Sequence, residues 1–471
     1  MNARAVRDGI VAGEVTAEEV LESTLECLAA TEDAIHAFIT VDEEHARSQL
    51  HELNVRRAAG EEPGPLWGVP FSVKDTYDTA GVRTTYGSRV FADHVPMSDA
   101  ELVGRVRQAG GILIGKTNTP EFAIHVRTAN DLVPETRNPW GLARTSGGSS
   151  GGAAASVGAG VTSIAIGSDG GGSVRIPAAL CGAVGLMPSR GAIPRGGGRI
   201  GTRRFSSAGP LALDARDALV LFAAMAGPSN EDGLTRGLFP TGLPGDASHV
   251  ESPTMRWVGD SGIQGAEPDV VAAVESAAQA FASATGGRLL SSAMKMGADR
   301  FNTAFYRIMQ LDRYSTGGRE LLEDPLASPL LTGYARHQFA GAAVMPPDAY
   351  SESLEAQLAA IEHLADMLDG VDVVVTPTLG FVAPQIEEGE LTVPEDARRG
   401  FVSFTFMMNF TGLPAVTVPC GLVRGMPVGL QLIGRQGTEG MLLDLAARFQ
   451  ERVFRLPESP VSASTHERAP L

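Results

Sequence analysis

SGGSSGGAAASVGAGVTSIAIGSDGGGSVRIP, Ser146 to Pro177, decides how the chain is read. Its first seven residues have the composition of a flexible linker. The residues after them do not. AAASVGAG has the small side chains of a helix packed tightly inside a protein, and VTSIAIGSDGGGS is an apolar, β-branched strand that runs into a glycine turn. Whether the preceding glycines and serines are a linker or the floor of a site turns on the motifs around them.

Outward from this stretch the same alternation continues. TAEEVLESTLECLAA opens with Thr16 and Glu19 at capping-box spacing and carries a helical apolar stripe through Val20, Leu21, Leu25 and Leu28. PFSVKDTYD and GGILIGKTN read as strands, the first ending near Lys74. ARDALVLFAAMAG, Val270 to Ala284 and Glu352 to Leu368 read as helices, and GVDVVVTP, AVTVPCG and MPVGLQLIG as buried strands. The expectation is an α/β protein with a mixed, twisted central sheet covered by helices on both faces. It divides into an N-terminal helical segment over 1–60, a main domain over 61–456 and a disordered tail over 457–471. Residues 226–268 are expected to form a surface excursion.

Hydrophobic residues make up 43% of the 471 and charged residues 20%, a globular composition. The formal net charge of -17 argues against a nucleic-acid partner, since phosphate binding needs a basic face. Cys27, Cys181 and Cys420 are too scattered for a disulfide framework or a zinc site. The nine histidines show no metal spacing. MNARAVRDGIVAGEV lacks the apolar core of a signal peptide, and no apolar run is long enough to span a membrane. The expectation is a cytoplasmic protein without cofactor or metal.

Only three lysines, Lys74, Lys116 and Lys295, stand against 35 arginines. A lysine kept in such a chain is one that arginine cannot replace, and what arginine cannot do is give up its proton.

Two short patterns compete for attention. GGILIGKT, Gly110 to Thr117, fits the phosphate-loop spacing and would place Lys116 on a nucleotide. Its four variable positions are themselves an apolar strand and not a loop. GGSSG, Gly147 to Gly151, fits a nucleophile elbow at Ser149, but NPWGLART ahead of it does not read as a strand and no histidine downstream lies in a matching motif.

A third constellation joins Lys74 in GVPFSVKDTYDTAG, Ser149 in GGSSGG and Ser173 in SDGGGSVRIPAALCG. With GKTNTPEFA, TRNPW, NFTGLPAVTVPCG and GMPVGLQLIG in the same order, the chain from Gly68 to Gly434 resembles the amidase signature family. The resemblance implies that family's fold and a serine amidohydrolase, in which Ser173 is the nucleophile, Ser149 sits on a cis peptide and relays the proton, and Lys74 is the base. It implies action on aryl or other small amides, with carbamates (urethanes) and esters open to the same machinery.

The chemistry of the residues is consistent with those roles. Gly170, Gly171, Gly172 and Ser173 can aim successive N–H groups at one oxyanion. Lys74 must lose roughly 3 units from a pKa of about 10.4 to act as a base, which burial can supply. Ser150, Asp169 and Arg175 are expected to support the site, and His125 and Thr128 to touch substrate. RFNTAFYRIM and FVSFTFMMNF are candidates for an apolar pocket wall, and the loop 191–205 for a lid.

The family also includes the glutamine-amidase subunit of a tRNA-dependent amidotransferase. That subunit typically has Gln after the signature Arg, where this chain has Ile176 after Arg175, and a more polar segment in place of NTPEFA. The expectation is therefore a free-standing enzyme, monomer or homodimer, acting on a small-molecule amide, ester or carbamate without nucleic acid or membrane. The alternatives are a nucleotide-binding protein and the amidotransferase subunit.

Overall fold

The structure is a computed structural model that describes residues 2–198, 204–238, 249–386 and 400–466. Its strands are β1 (Phe38–Val41), β2 (Pro70–Lys74), β3 (Ile112–Thr117), β4 (Arg137–Asn138), β5 (Gly141–Thr145), β6 (Ile164–Asp169) and β7 (Val184–Met187). They continue with β8 (Ser207–Ala212), β9 (Thr254–Trp257), β10 (Arg288–Ser291), β11 (Val373–Pro377), β12 (Ala415–Val423) and β13 (Met426–Ile433). Eleven of them form one mixed sheet in the order β1-β3-β2-β6-β8-β7-β12-β13-β11-β9-β10, and β4 and β5 form a separate hairpin. This is the expected α/β architecture with a mixed central sheet.

The strands at the centre are apolar on both faces because helices cover both. Alternate residues of β3 divide between two cores: Ile112 and Ile114 pack on one side with Leu21, Leu50 and Ala153, and Leu113 on the other with Val103 and Phe71. β6 does the same, sending Ile164 and Ile166 to one core and Ala165 to the other.

β2 lies parallel to both β3 and β6, so the three strands deliver their carboxyl ends to one edge of the sheet. Lys74 ends β2 and Asp169 ends β6. β8 runs antiparallel to β6 and sets Ser207 opposite Asp169. A short crossover helix, Gly151–Gly158, connects toward β6 with all eight residues buried. Its small residues are a packing requirement: a Cβ on Gly152 would stand 2.4 Å from Ala37 O and 2.5 Å from Asn118 N.

Three expectations need correction. The 1–60 segment is not helical throughout, because Phe38–Val41 adds the edge strand β1 to the sheet. Residues 226–268 contain β9, whose Met255 and Trp257 are buried in the sheet, so this is no mere surface excursion; Thr-Met-Arg-Trp is too short to stand out by periodicity. The tail over 457–471 contains a helix, Pro460–His466, that packs Val461 beside the helix Ala17–Ile35. Residues 467–471 lie outside the described residues.

Gly152→Ala should destabilise the fold by about 2 kcal/mol, the usual cost of forcing a methyl into a filled core. Denaturant unfolding that shows no shift of midpoint would contradict this packing.

Candidate active site

Lys74 is completely buried at the end of β2. Its Nζ donates to Ser149 Oγ at 2.6 Å, Ser168 Oγ at 2.8 Å and Ser150 Oγ at 3.0 Å. No carboxylate pairs with it among the described residues. Burial therefore dominates and drives the Lys74 pKa well below the ordinary lysine range; the Asp169 charge raises it and the Arg313 charge lowers it further.

Ser149 follows a cis peptide bond with Gly148, as the family resemblance implies. The turn that holds it is pinned by Thr128, whose hydroxyl donates to Gly147 O at 2.8 Å and accepts from Gly151 N at 3.0 Å. Thr128 is buried beneath the serines and not on the cavity wall, so its expected contact with substrate is replaced by a positioning one. Ser150 N donates to Ser173 O at 3.1 Å, and Ser150 Oγ donates to Ser168 O at 3.0 Å.

Ser173 is half-buried on the turn after β6, and its Oγ makes no hydrogen bond to a described residue. Ser173, Ser149, Ser168, Gly170 and Gly171 all line one cleft that encloses about 1180 Å³, solvent included. Asp169 shapes that turn. Its carboxylate accepts from Gly172 N at 2.6 Å and Val174 N at 3.1 Å and is held by Arg175 Nε at 3.0 Å. Asn409 donates to Asp169 Oδ1 at 3.0 Å, and Arg175 extends to Gln431 Oε1 at 2.8 Å. The Asp169 pKa is lowered: burial alone would raise it, and the Arg175 charge with the hydrogen bonds from Arg175, Asn409 and Val174 outweighs burial. The Gly172 N–H is thus spent on Asp169, which removes it from the expected oxyanion donors.

His125 lines the cleft with its ring 5.2 Å from that of Tyr334. Of the two aromatic segments, Phe305, Tyr306, Met309 and Val402 reach the wall, while Phe404, Phe406, Met407, Met408 and Phe410 are core. From the loop 191–205, Arg195 and Gly198 line the cleft; residues 199–203 lie outside the described residues, and with them the reading of that loop as a lid. Ser168, Asn409 and Arg313 were missed as site residues. Ser168 had a usable signal, as it stands one residue before Asp169 at the end of the same strand.

The two competing patterns resolve on contacts. Lys116 is buried on β3 and donates to Thr79 Oγ1 and Thr84 Oγ1, both at 2.9 Å, and to Tyr77 O, so its donors face the protein. The elbow pattern does follow a short strand, β5, contrary to the sequence reading. Ser149 nevertheless answers to Lys74 and not to a histidine.

A buried lysine bonded to serines beside an unengaged serine hydroxyl is the arrangement of a histidine-free serine hydrolase. The family is shown by similarity: the profile described as Amidase matches residues 19–443, and the chain belongs to the amidase signature family. Membership makes it an amidohydrolase acting on carbon–nitrogen bonds. The chain is 34% identical over 464 residues to one of the subunits of the glutamyl-tRNA(Gln) amidotransferase of Symbiobacterium thermophilum, covering 94% of each chain. Among solved structures it resembles a protein from a vestigial complex tied to the origins of an s-triazine catabolic enzyme, at 28% identity and a TM-score of 0.86 over 97% of this chain and 100% of that one. It also resembles 6-aminohexanoate cyclic dimer hydrolase, at 27% identity and a TM-score of 0.85 over 98% and 99%.

These relatives correct the expectation about partners. Several of the similar proteins are named as subunits of an enzyme acting on glutamyl-tRNA(Gln), so the expectation of a free-standing chain with no nucleic acid no longer stands. The acidic charge of -17 was the wrong guide, because it describes this chain's own surface and not that of an assembly it could join. No described helix is long and apolar enough to cross a membrane.

Lys74→Met should slow labelling of Ser173 by a fluorophosphonate at least ~100-fold, since a general base typically contributes that much. Intact-mass kinetics showing an unchanged rate would remove Lys74 from the machinery.

Proposed function

We propose that this chain breaks a carboxamide C–N bond through an acyl-enzyme on Ser173. The observation that carries the reading is the 2.6 Å contact from Nζ of a fully buried, unpaired Lys74 to Ser149, on the wall of the cleft that also holds Ser173. Ser173 Oγ attacks the carbonyl carbon, and its proton passes by way of Ser149 to the neutral Lys74 amine. The amides of Gly170, Gly171 and Ser173 hold the oxyanion. The tetrahedral species collapses as the same proton returns to the leaving nitrogen, and water then attacks the ester to release the acid and restore Ser173.

Two acyl donors fit this reading. The first is a primary carboxamide of the glutamine kind, with the chain serving as the amide-hydrolysing member of a tRNA-linked amidotransferase; the names and full-length coverage of the relatives support it. The second is an amide or carbamate with an aryl or other apolar substituent. One observation favours it: Phe122, Ile124, Phe305 and Met309 line the cleft, and none of its described lining residues is a carboxylate to receive the ammonium of free glutamine. Esters would follow the same path.

Incubating the protein with glutamine, an acyl anilide and an aryl carbamate separates the two. Release of aniline by the purified chain, lost in Ser173→Ala by a factor of ~1000 or more, supports the second donor. Ammonia from glutamine that appears only with added amidotransferase subunits supports the first. No turnover of any of the three, with or without those subunits, contradicts the proposal.

A further inference from the structure

Arg313 is a buried cation that takes no step in the reaction just described beyond lowering the Lys74 pKa by its charge. It ends the helix Ala298–Arg313, is 6% exposed and lines the cleft. Burial lowers its pKa only to about 10, so it stays charged at neutral pH. A guanidinium offers five N–H donors in a planar fork. Here Nη1 donates to Gln338 Oε1 at 2.8 Å and Nη2 to Ala123 O at 3.2 Å, both neutral acceptors. Nε is buried without a hydrogen-bond partner among the described residues.

The neighbouring charges relieve it only in part: burial outweighs those of Tyr306 and Asp312, which raise its pKa. The Asp312 carboxylate accepts from Tyr350 OH at 2.9 Å and forms no ion pair with Arg313. Arg195, the other described arginine on the wall, is matched by Asp232, with Nε to Oδ2 and Nη2 to Oδ1 both at 2.9 Å. The described ionisable side chains of the cleft are thus arginines, a histidine and tyrosines, with no acid to offset Arg313.

An uncompensated buried charge is costly and is retained where something neutralises it. Nε and an adjacent Nη form the edge of the fork that binds a carboxylate by two parallel hydrogen bonds, and Nε is the donor left idle here. We propose that Arg313 determines specificity in this cleft by receiving a carboxylate of the substrate, so that the preferred amides or carbamates carry an anionic group away from the scissile bond. The inference rests on the amidohydrolase reading and narrows its substrate class. Ser173 supplies the attack, and Arg313 fixes the far end of the molecule.

The test uses two pairs of anilides. One pair has an acyl chain that ends in a carboxylate or in a methyl group; the other has the carboxylate or a methyl group on a side chain of the aniline. For wild type, kcat/KM should be at least ~30-fold higher for the anionic member of one pair, the size expected of a charge-assisted contact. In Arg313→Gln that preference should fall to within ~3-fold, and Arg313→Lys should restore part of it. A merely structural role would lower both members of a pair alike and leave their ratio unchanged.

Fluorophosphonate labelling of Ser173 runs alongside in wild type. Absence of labelling would sink the amidohydrolase reading and this inference with it. Labelling with equal turnover of both members in both pairs would overturn this inference alone, as would an Arg313→Gln variant that keeps the preference. The wild-type comparison decides the matter even where the variants fail to fold.

Discussion

The site depends on one constraint: a lysine amine is buried where no described carboxylate pairs with it. Water is excluded from Lys74, and the three groups within reach of Nζ are hydroxyls. Hydroxyls accept from an ammonium and donate to an amine, so they tolerate either form without stabilising the charge as a carboxylate would. Desolvation then decides, and it favours the neutral amine. A neutral amine beside Ser149 is the base that a serine hydrolase without histidine needs.

Keeping that amine unpaired requires the nearest carboxylate to be occupied elsewhere. Asp169 sits at the end of the adjacent parallel strand, where its charge already raises the Lys74 pKa, and it would stabilise the ammonium further if it turned toward it. Arg175, Asn409 and the Gly172 and Val174 amides hold it instead. The same bonds that draw Asp169 away also fix the glycine turn carrying Ser173. Removing Arg175 alone would leave a buried, unpaired carboxylate, the costly way to break a buried ion pair. Parallel β2 and β6 bring Lys74 and the turn together, and the small-residue helix Gly151–Gly158 lets the Ser149 segment approach both.

Much of this was legible in the sequence, for physical reasons. Long apolar strands such as Ile112–Thr117 and Ile164–Asp169 announce themselves because both faces are buried, and a lysine-poor chain makes Lys74 conspicuous. The short strands β1 and β9 were hidden, since four residues carry too little periodicity to separate from loop. The role of Thr128 and the diversion of the Gly172 amide depend on contacts across the fold, which spacing does not encode. Asn409 lay in the quoted motif NFTGLPAVTVPCG, yet nothing in a linear pattern says that it meets Asp169, 240 residues away. The partner expectation failed because net charge averages a surface.

The central claim is that Lys74 is neutral at the pH where the protein works. Because there are only three lysines, carbon-13 labelling at lysine Cε gives three resonances, which Lys74→Met and Lys116→Met assign. The account predicts that the Lys74 resonance titrates well below the ordinary lysine range, or already shows the neutral form throughout the accessible range. A Lys74 signal that stays that of an ammonium until about pH 10, the ordinary lysine range, would contradict it.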